Sequence, residues 1–160
     1  MGFYNPSIEV SMKVEGQIII SATKDEIWAA ISDIKNASKI FKDIKKITII
    51  TQPGKGILGT KWEETREFMG KESSEIMWIS EVQEMISYVA EAKNSGCLYH
   101  SSMILHDCDE GVIVTKTFHS TPETFLAKIM LPLMLLMHKT LKKCLQKDLE
   151  DLKSYIEQSV

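Results

Sequence analysis

Between Ile8 and Ile20 apolar and polar residues alternate. Ile8, Val10, Met12, Val14, Ile18 and Ile20 share one parity, with Gly16 in the same register, and Glu9, Ser11, Lys13, Glu15 and Gln17 fill the other. A period of two predicts a long strand with one buried face and one wet face. Gly16 in mid-strand predicts a bulge or a close approach by another segment. Thr23 and Glu26 then form a T-x-x-E capping box ahead of Ile27, Trp28, Ala30 and Ile31, which predicts a helix. A short second helix is expected over Asn36 to Phe41, and a strand over Ile44 to Gln52.

Five strand-like stretches follow: Thr60 to Phe68, Ser73 to Val82, Met85 to Ala92, Cys97 to Leu105 and Val112 to Ser120. Their short links, such as Met69-Gly70, imply antiparallel neighbours. A long helix closes the chain. Thr121 is its expected cap and Pro122 its first residue, and Pro132 should kink it or divide it. Its apolar stripe runs through Met134, Met137, Leu141, Leu145, Leu149, Leu152 and Ile156. The order predicts an α+β fold, a curved seven-stranded antiparallel sheet around one long C-terminal helix, with two short helices after strand 1. A bent sheet and one helix do not fill each other, so a cavity between them is expected. One domain over 1–160, with its ordered core at 8–157, accounts for the whole pattern.

Composition narrows the partners. The formal net charge of −3 argues against non-specific nucleic-acid binding. Three widely spaced cysteines, Cys97, Cys108 and Cys144, suit free thiols in a reducing compartment. The start, Met1 to Ser7, has no leader-like apolar core, and the most apolar run, Ile129 to Met137, is interrupted by Pro132 and too short to span a bilayer. The expectation is a cytoplasmic protein with no stable membrane insertion, monomeric or homodimeric.

The strand 60–68 carries the candidate chemistry. Lys61, Glu63, Thr65 and Glu67 make one face polar, so Trp62, Glu64, Arg66 and Phe68 must point to the concave side. Charge on an inner face is costly unless paired. A two-residue turn at Met69-Gly70 would set Glu64 opposite Glu75 and Arg66 opposite Ser73. Two readings stay open: a polar end of a greasy pocket built from Glu64, Arg66 and Glu75, or a solvated cavity mouth. Alternation across the hairpins adds Met77 and Ile79, then Tyr88, then Tyr99, Ser101 and Met103, then Val114 and Phe118. The helix would contribute Met130, Met134, Met137 and Leu141, although a methionine stripe at helical spacing is more often plain core. The glycine-rich loop Gly54 to Gly59 and the helix near Pro132 are the candidate gate; the loop lacks phosphate-binding spacing. No metal site is expected, because Cys97 and His100, three apart on a strand, face opposite sides. Lys139, Lys142, Lys143 and Lys147 follow the apolar run. They read as a membrane-surface patch or, more ordinarily, as a solvated helix face, since Asp148, Glu150 and Asp151 come next.

Five stretches, Ile20 to Trp28, Ile31 to Ile34, Gly56 to Trp62, Gly70 to Glu72 and Ile79 to Val82, carry a likeness. Through them Val14 to Leu152 resembles the START-like, helix-grip superfamily, in its polyketide cyclase/dehydrase and lipid-transport branch. The resemblance implies a deep, mostly apolar pocket for a small hydrophobic molecule; no cofactor is expected. It sets Arg66 on the pocket arginine of the cyclase members, and Trp62 and Phe41 on pocket aromatics. Glu64, Ile44 and Ala37 stand where that pattern has Ser, Tyr and Trp, so its hydroxyl donors are missing. The leading expectation is therefore binding of a small hydrophobic ligand. The alternatives are a cyclase, aromatase or dehydratase using Arg66 and Glu64, and an interaction module with a vestigial cavity.

Overall fold

The computed structural model describes residues 11–159. The predicted start of the first strand, Ile8 to Val10, lies outside them. Seven strands are present among the described residues: β1 (Met12–Ile20), β2 (Ile44–Thr51), β3 (Lys61–Phe68), β4 (Lys71–Gln83), β5 (Ser87–Asn94), β6 (Cys97–Cys108) and β7 (Gly111–Pro122). They form one antiparallel sheet in the order β1-β7-β6-β5-β4-β3-β2. Between β1 and β2 lie α1 (Lys24–Ser32), a single 3₁₀ turn at Ile34–Asn36, and α2 (Ala37–Ile40). After β7 come α3 (Phe125–Leu136) and α4 (His138–Gln158).

The alternation in β1 holds residue by residue: Met12, Val14 and Ile20 are buried and the opposite parity is exposed. The capping box of α1 is complete. Thr23 Oγ1 accepts from Glu26 N at 3.3 Å, and Thr23 N donates to Glu26 Oε2 at 2.8 Å. The Met69-Gly70 turn takes positive φ at both residues, 51° and 75°, which suits a tight two-residue hairpin.

Gly16 marks an approach and not a bulge, since the β1–β7 register is unbroken. A Cβ there would sit 3.3 Å from both Gln146 Oε1 and Leu149 Cδ1 of α4. The missing side chain seats the helix on the sheet. Gly16→Val should cost roughly 1–3 kcal/mol by overpacking this seam, read as a fall in the denaturant midpoint. An unchanged midpoint would mean that α4 does not rest there.

The last part of the chain differs from its expectation. Thr121 and Pro122 do not begin a helix; β7 continues through them because β6 runs alongside, pairing Cys97 with Pro122. The cap is Thr124, whose Oγ1 accepts from Ala127 N at 3.2 Å. The backbone N–H groups of Glu123 and Thr124 both donate to Gly96 O, tying the start of α3 to the β5–β6 turn. Gly96 has φ 76°, and a Cβ on it would collide with the Thr124 side chain, so this junction needs a glycine. Pro132 does not divide the helix. It sits within α3, and the break falls at Met137, whose N–H turns back to Met134 O.

The core comes in two parts. The larger cluster joins α1, the C-terminal half of α4 and the sheet through residues such as Ile27, Ile79, Val114, Leu149 and Leu152. The smaller joins Met12, Val14 and Leu145, with Phe118, Met134 and Leu141 packed against them. In α3 only Ala127 and Leu131 are buried.

Candidate functional site

Residues of both clusters line one cavity of about 650 Å³. That is a normal volume for a site that encloses a small organic molecule. Its floor is the concave face of β3 to β7. Trp62, Glu64 and Arg66 come from β3, Glu75 and Met77 from β4, Tyr88 from β5, Tyr99, Ser101 and Met103 from β6, and Phe118 from β7. Phe41 closes the α2 side; Met130, Met134, Met137 and Leu141 close the helical side. The parity argument therefore brings nearly all of its candidates to one space. Ile79 and Val114 are the exceptions. Both face inward but are consumed by the larger core cluster, where α1 and α4 close on the sheet. The glycine loop also differs from expectation: none of Gly54 to Gly59 lines the cavity, and Ile57 instead packs on that same cluster.

The charged end is more elaborate than the strand alone predicted. The register sets Glu64 opposite Glu75 and Arg66 opposite Ser73. Glu75 nevertheless turns aside and accepts from Asn94 Nδ2 at 3.0 Å. Arg66 has two other partners. Its Nε donates to Glu64 Oε1 at 3.1 Å, and its Nη1 donates to both oxygens of Asp148 at 3.0 Å. Glu64 also accepts from Trp62 Nε1 at 3.2 Å. Lys116 completes the set by donating to Asp148 Oδ2, and its ammonium stands 5.2 Å from the centroid of the Phe41 ring. The result is two carboxylates and two cations, net neutral, at one end of an apolar chamber.

Sequence reasoning missed Lys116 and Asp148 as members of this cluster. The signal for each was present. Lys116 has the same parity as Val114 and Phe118 in β7, and Asp148 stands three residues after Leu145, on the buried stripe of α4. Lys116 also lies opposite Gly16 in the ladder, where α4 comes closest to the sheet.

Burial alone would push the Asp148 pKa up. Lys116 and Arg66 outweigh it and hold the carboxyl below its usual range. Burial works against the Arg66 charge as well, yet Asp148 and then Glu64 raise its pKa above the usual value. The Tyr88 phenol is pushed up by burial first and by Glu64 and Asp148 next. Tyr99, stacked on Phe118 with centroids 5.5 Å apart, is pushed up to about 12, chiefly by burial.

Cys97 lines the cavity, whereas His100 stands on the other face beside Glu91, with Nε2 at 3.1 Å from Oε1. Among the described residues no three His, Cys, Asp or Glu side chains are placed to hold a metal ion, and no helix is long and apolar enough to cross a membrane.

Several solved structures share the fold. The aromatase/cyclase Zhui from a Streptomyces species superposes with a TM-score of 0.71 at 11% identity, over 93% of this chain and 95% of that one. Norcoclaurine synthase from Thalictrum flavum gives 0.69 at 14%, over 92% and 94%. Ara h 8.0201 gives 0.69 at 16%, over 93% and 99%. No curated protein matches the sequence. The family described as polyketide cyclase / dehydrase and lipid transport matches residues 11–157.

Proposed function

The chain belongs to the polyketide cyclase/dehydrase and lipid-transport family, and from that premise we propose that it binds one small hydrophobic molecule with an uncharged polar group. The observation that carries this is the cavity itself: apolar walls around a charge-balanced cluster. The walls supply affinity by desolvation, at about 25 cal/mol per Å² before the costs of ordering. Arg66 supplies orientation. Its side chain keeps 27% exposure, and among the described residues its Nη2 has no hydrogen-bond partner. It can donate to a carbonyl or hydroxyl without leaving Glu64 or Asp148. A ligand carboxylate would tip a neutral cluster toward excess negative charge, with Glu75 also on the wall.

The test uses a neutral fluorescent probe, N-phenyl-1-naphthylamine, and a carboxylate probe, cis-parinarate. Trp62 lies on the wall, so its emission should change on binding in a protein with Trp28→Phe and Trp78→Phe. The neutral probe should bind more tightly. Glu64→Gln should narrow the gap by roughly tenfold, because it removes one buried negative charge. Absence of probe binding, or a preference for the carboxylate, would remove this reading.

A cyclase reaction is the second reading, favoured by the same open edge of Arg66. The cavity offers poor proton carriers for it at neutral pH: Asp148 is held ionised and the Tyr88 phenol is pushed up. Turnover of a poly-ketone that disappears in Arg66→Met, while probe binding survives, would establish the enzyme instead.

A further inference from the structure

One helix is apolar on two sides. Leu126, Met130, Met134 and Met137 line the cavity, although Leu126 and Met130 are also exposed. Phe125, Ile129, Leu133 and Leu136, at spacings of four, four and three, present a second apolar face outward. Phe125 and Leu136 are each 80% exposed. A helix apolar all round is normally enclosed, and this one has β7 and α4 as its packing neighbours.

The surrounding charge identifies the cover. From Thr124 to Lys147 the chain contains five lysines and no Asp or Glu, although its net charge is −3. Lys128, Lys139, Lys142 and Lys143 are exposed and make no ion pair with a described residue; Lys147 pairs with Asp43. Of the three acids that follow, only Glu150 is exposed. Asp148 and Asp151 are buried, the first in the cavity cluster and the second accepting from Lys42 N at 2.9 Å. The β3–β4 turn brings exposed Met69, with Lys71, alongside Met137.

We propose that the outer face of α3 docks reversibly on an anionic lipid bilayer, with Phe125, Ile129, Leu133 and Leu136 in the acyl boundary and the lysines at the headgroups. Apolar side chains beside cations of one sign form the pattern of an interfacial helix. A second copy of the chain fits poorly, because two sets of unpaired lysines would meet. The docked helix is itself a wall of the cavity, so the lipid surface would lie one helix away from the bound ligand. Only that last consequence rests on the binding function proposed above.

The experiment is co-sedimentation of the full chain with vesicles of phosphatidylcholine alone or mixed with phosphatidylserine. The protein should bind the mixed vesicles, and high salt should weaken it. Lys139→Glu, Lys142→Glu and Lys143→Glu together should reduce binding by about 100-fold, and Phe125→Ser with Leu136→Ser should abolish it. Neither variant touches the cavity, so both should bind N-phenyl-1-naphthylamine like the parent protein, which also shows that they fold. Failure of the parent to bind mixed vesicles, equal binding to both vesicle types, or indifference to the lysine changes would overturn the proposal. So would a dimer that dissociates in the Phe125 and Leu136 variant, which would assign the face to a second copy. Vesicle binding without probe binding would sustain the docking face and remove the ligand function.

Discussion

Asp148→Ala should lower stability by about 3–5 kcal/mol, the usual cost of leaving buried cations without their counter-ion. For a domain of this size that is a fall in melting temperature of roughly 6–20 °C. Asp148 is the hinge of the cluster: its two oxygens receive Arg66 Nη1 and Lys116 Nζ, and its side chain is 3% exposed. Without it, Lys116 has no ion-pair partner among the described residues and keeps the Phe41 ring, and Arg66 keeps Glu64. The pH dependence has a definite sign. The folded carboxyl titrates below its unfolded value, so its stabilisation is complete above the ordinary carboxylate pKa and is lost as pH falls through the depressed one. The gap between the parent and Asp148→Asn should therefore be widest near neutrality and close in acid, below about pH 4. Replacing all four charges by apolar residues should recover most of the loss. A melting temperature within about a degree of the parent for Asp148→Ala would show that the cluster holds nothing together.

Ser101→Trp should abolish probe binding, with a loss of at least about 100-fold, or roughly 2.7 kcal/mol. Ser101 sits mid-strand on the cavity floor, between Ala90 of β5 and Phe118 of β7. An indole placed there takes the ligand's volume and has apolar walls to pack on. Stability should hold or rise, because the change fills space where a core substitution would crowd it. That opposite movement of affinity and melting temperature separates blockage from misfolding. Parent-like affinity in a folded Ser101→Trp protein would place the probe somewhere other than the cavity.

The fold was readable because its signals are local. Strict alternation gave β1, the Thr23–Glu26 box gave α1, and a two-residue link gave the β3–β4 register, including Glu64 against Glu75. Errors arose where a distant pairing decided between local options. Thr121-Pro122-Glu123-Thr124 offers two caps, and the ladder to β6 selects the second. Pro132 looks like the place to break a helix, yet the chain turns at Met137. At the site, parity on β3 exposed the anomaly of inward charge but could not name its partners. Arg66 and Asp148 are 82 residues apart, and their meeting depends on how α4 seats over Gly16. Glu150 beside Asp148 and Asp151 makes all three look solvated, whereas helix periodicity turns only Glu150 outward.

The thin packing of α3 has a kinetic meaning. It buries two residues, contains a proline and is tied at its start to Gly96, so lifting it uncovers little core. Lifting this door is therefore a low-cost excursion, and a ligand of the proposed kind would arrive and depart by it. Stiffening the segment would then slow both directions equally, lengthening residence without tightening equilibrium affinity. Stopped-flow traces of a Pro132→Ala protein would show this as matched decreases in the two rate constants, and a change in one alone would rule it out.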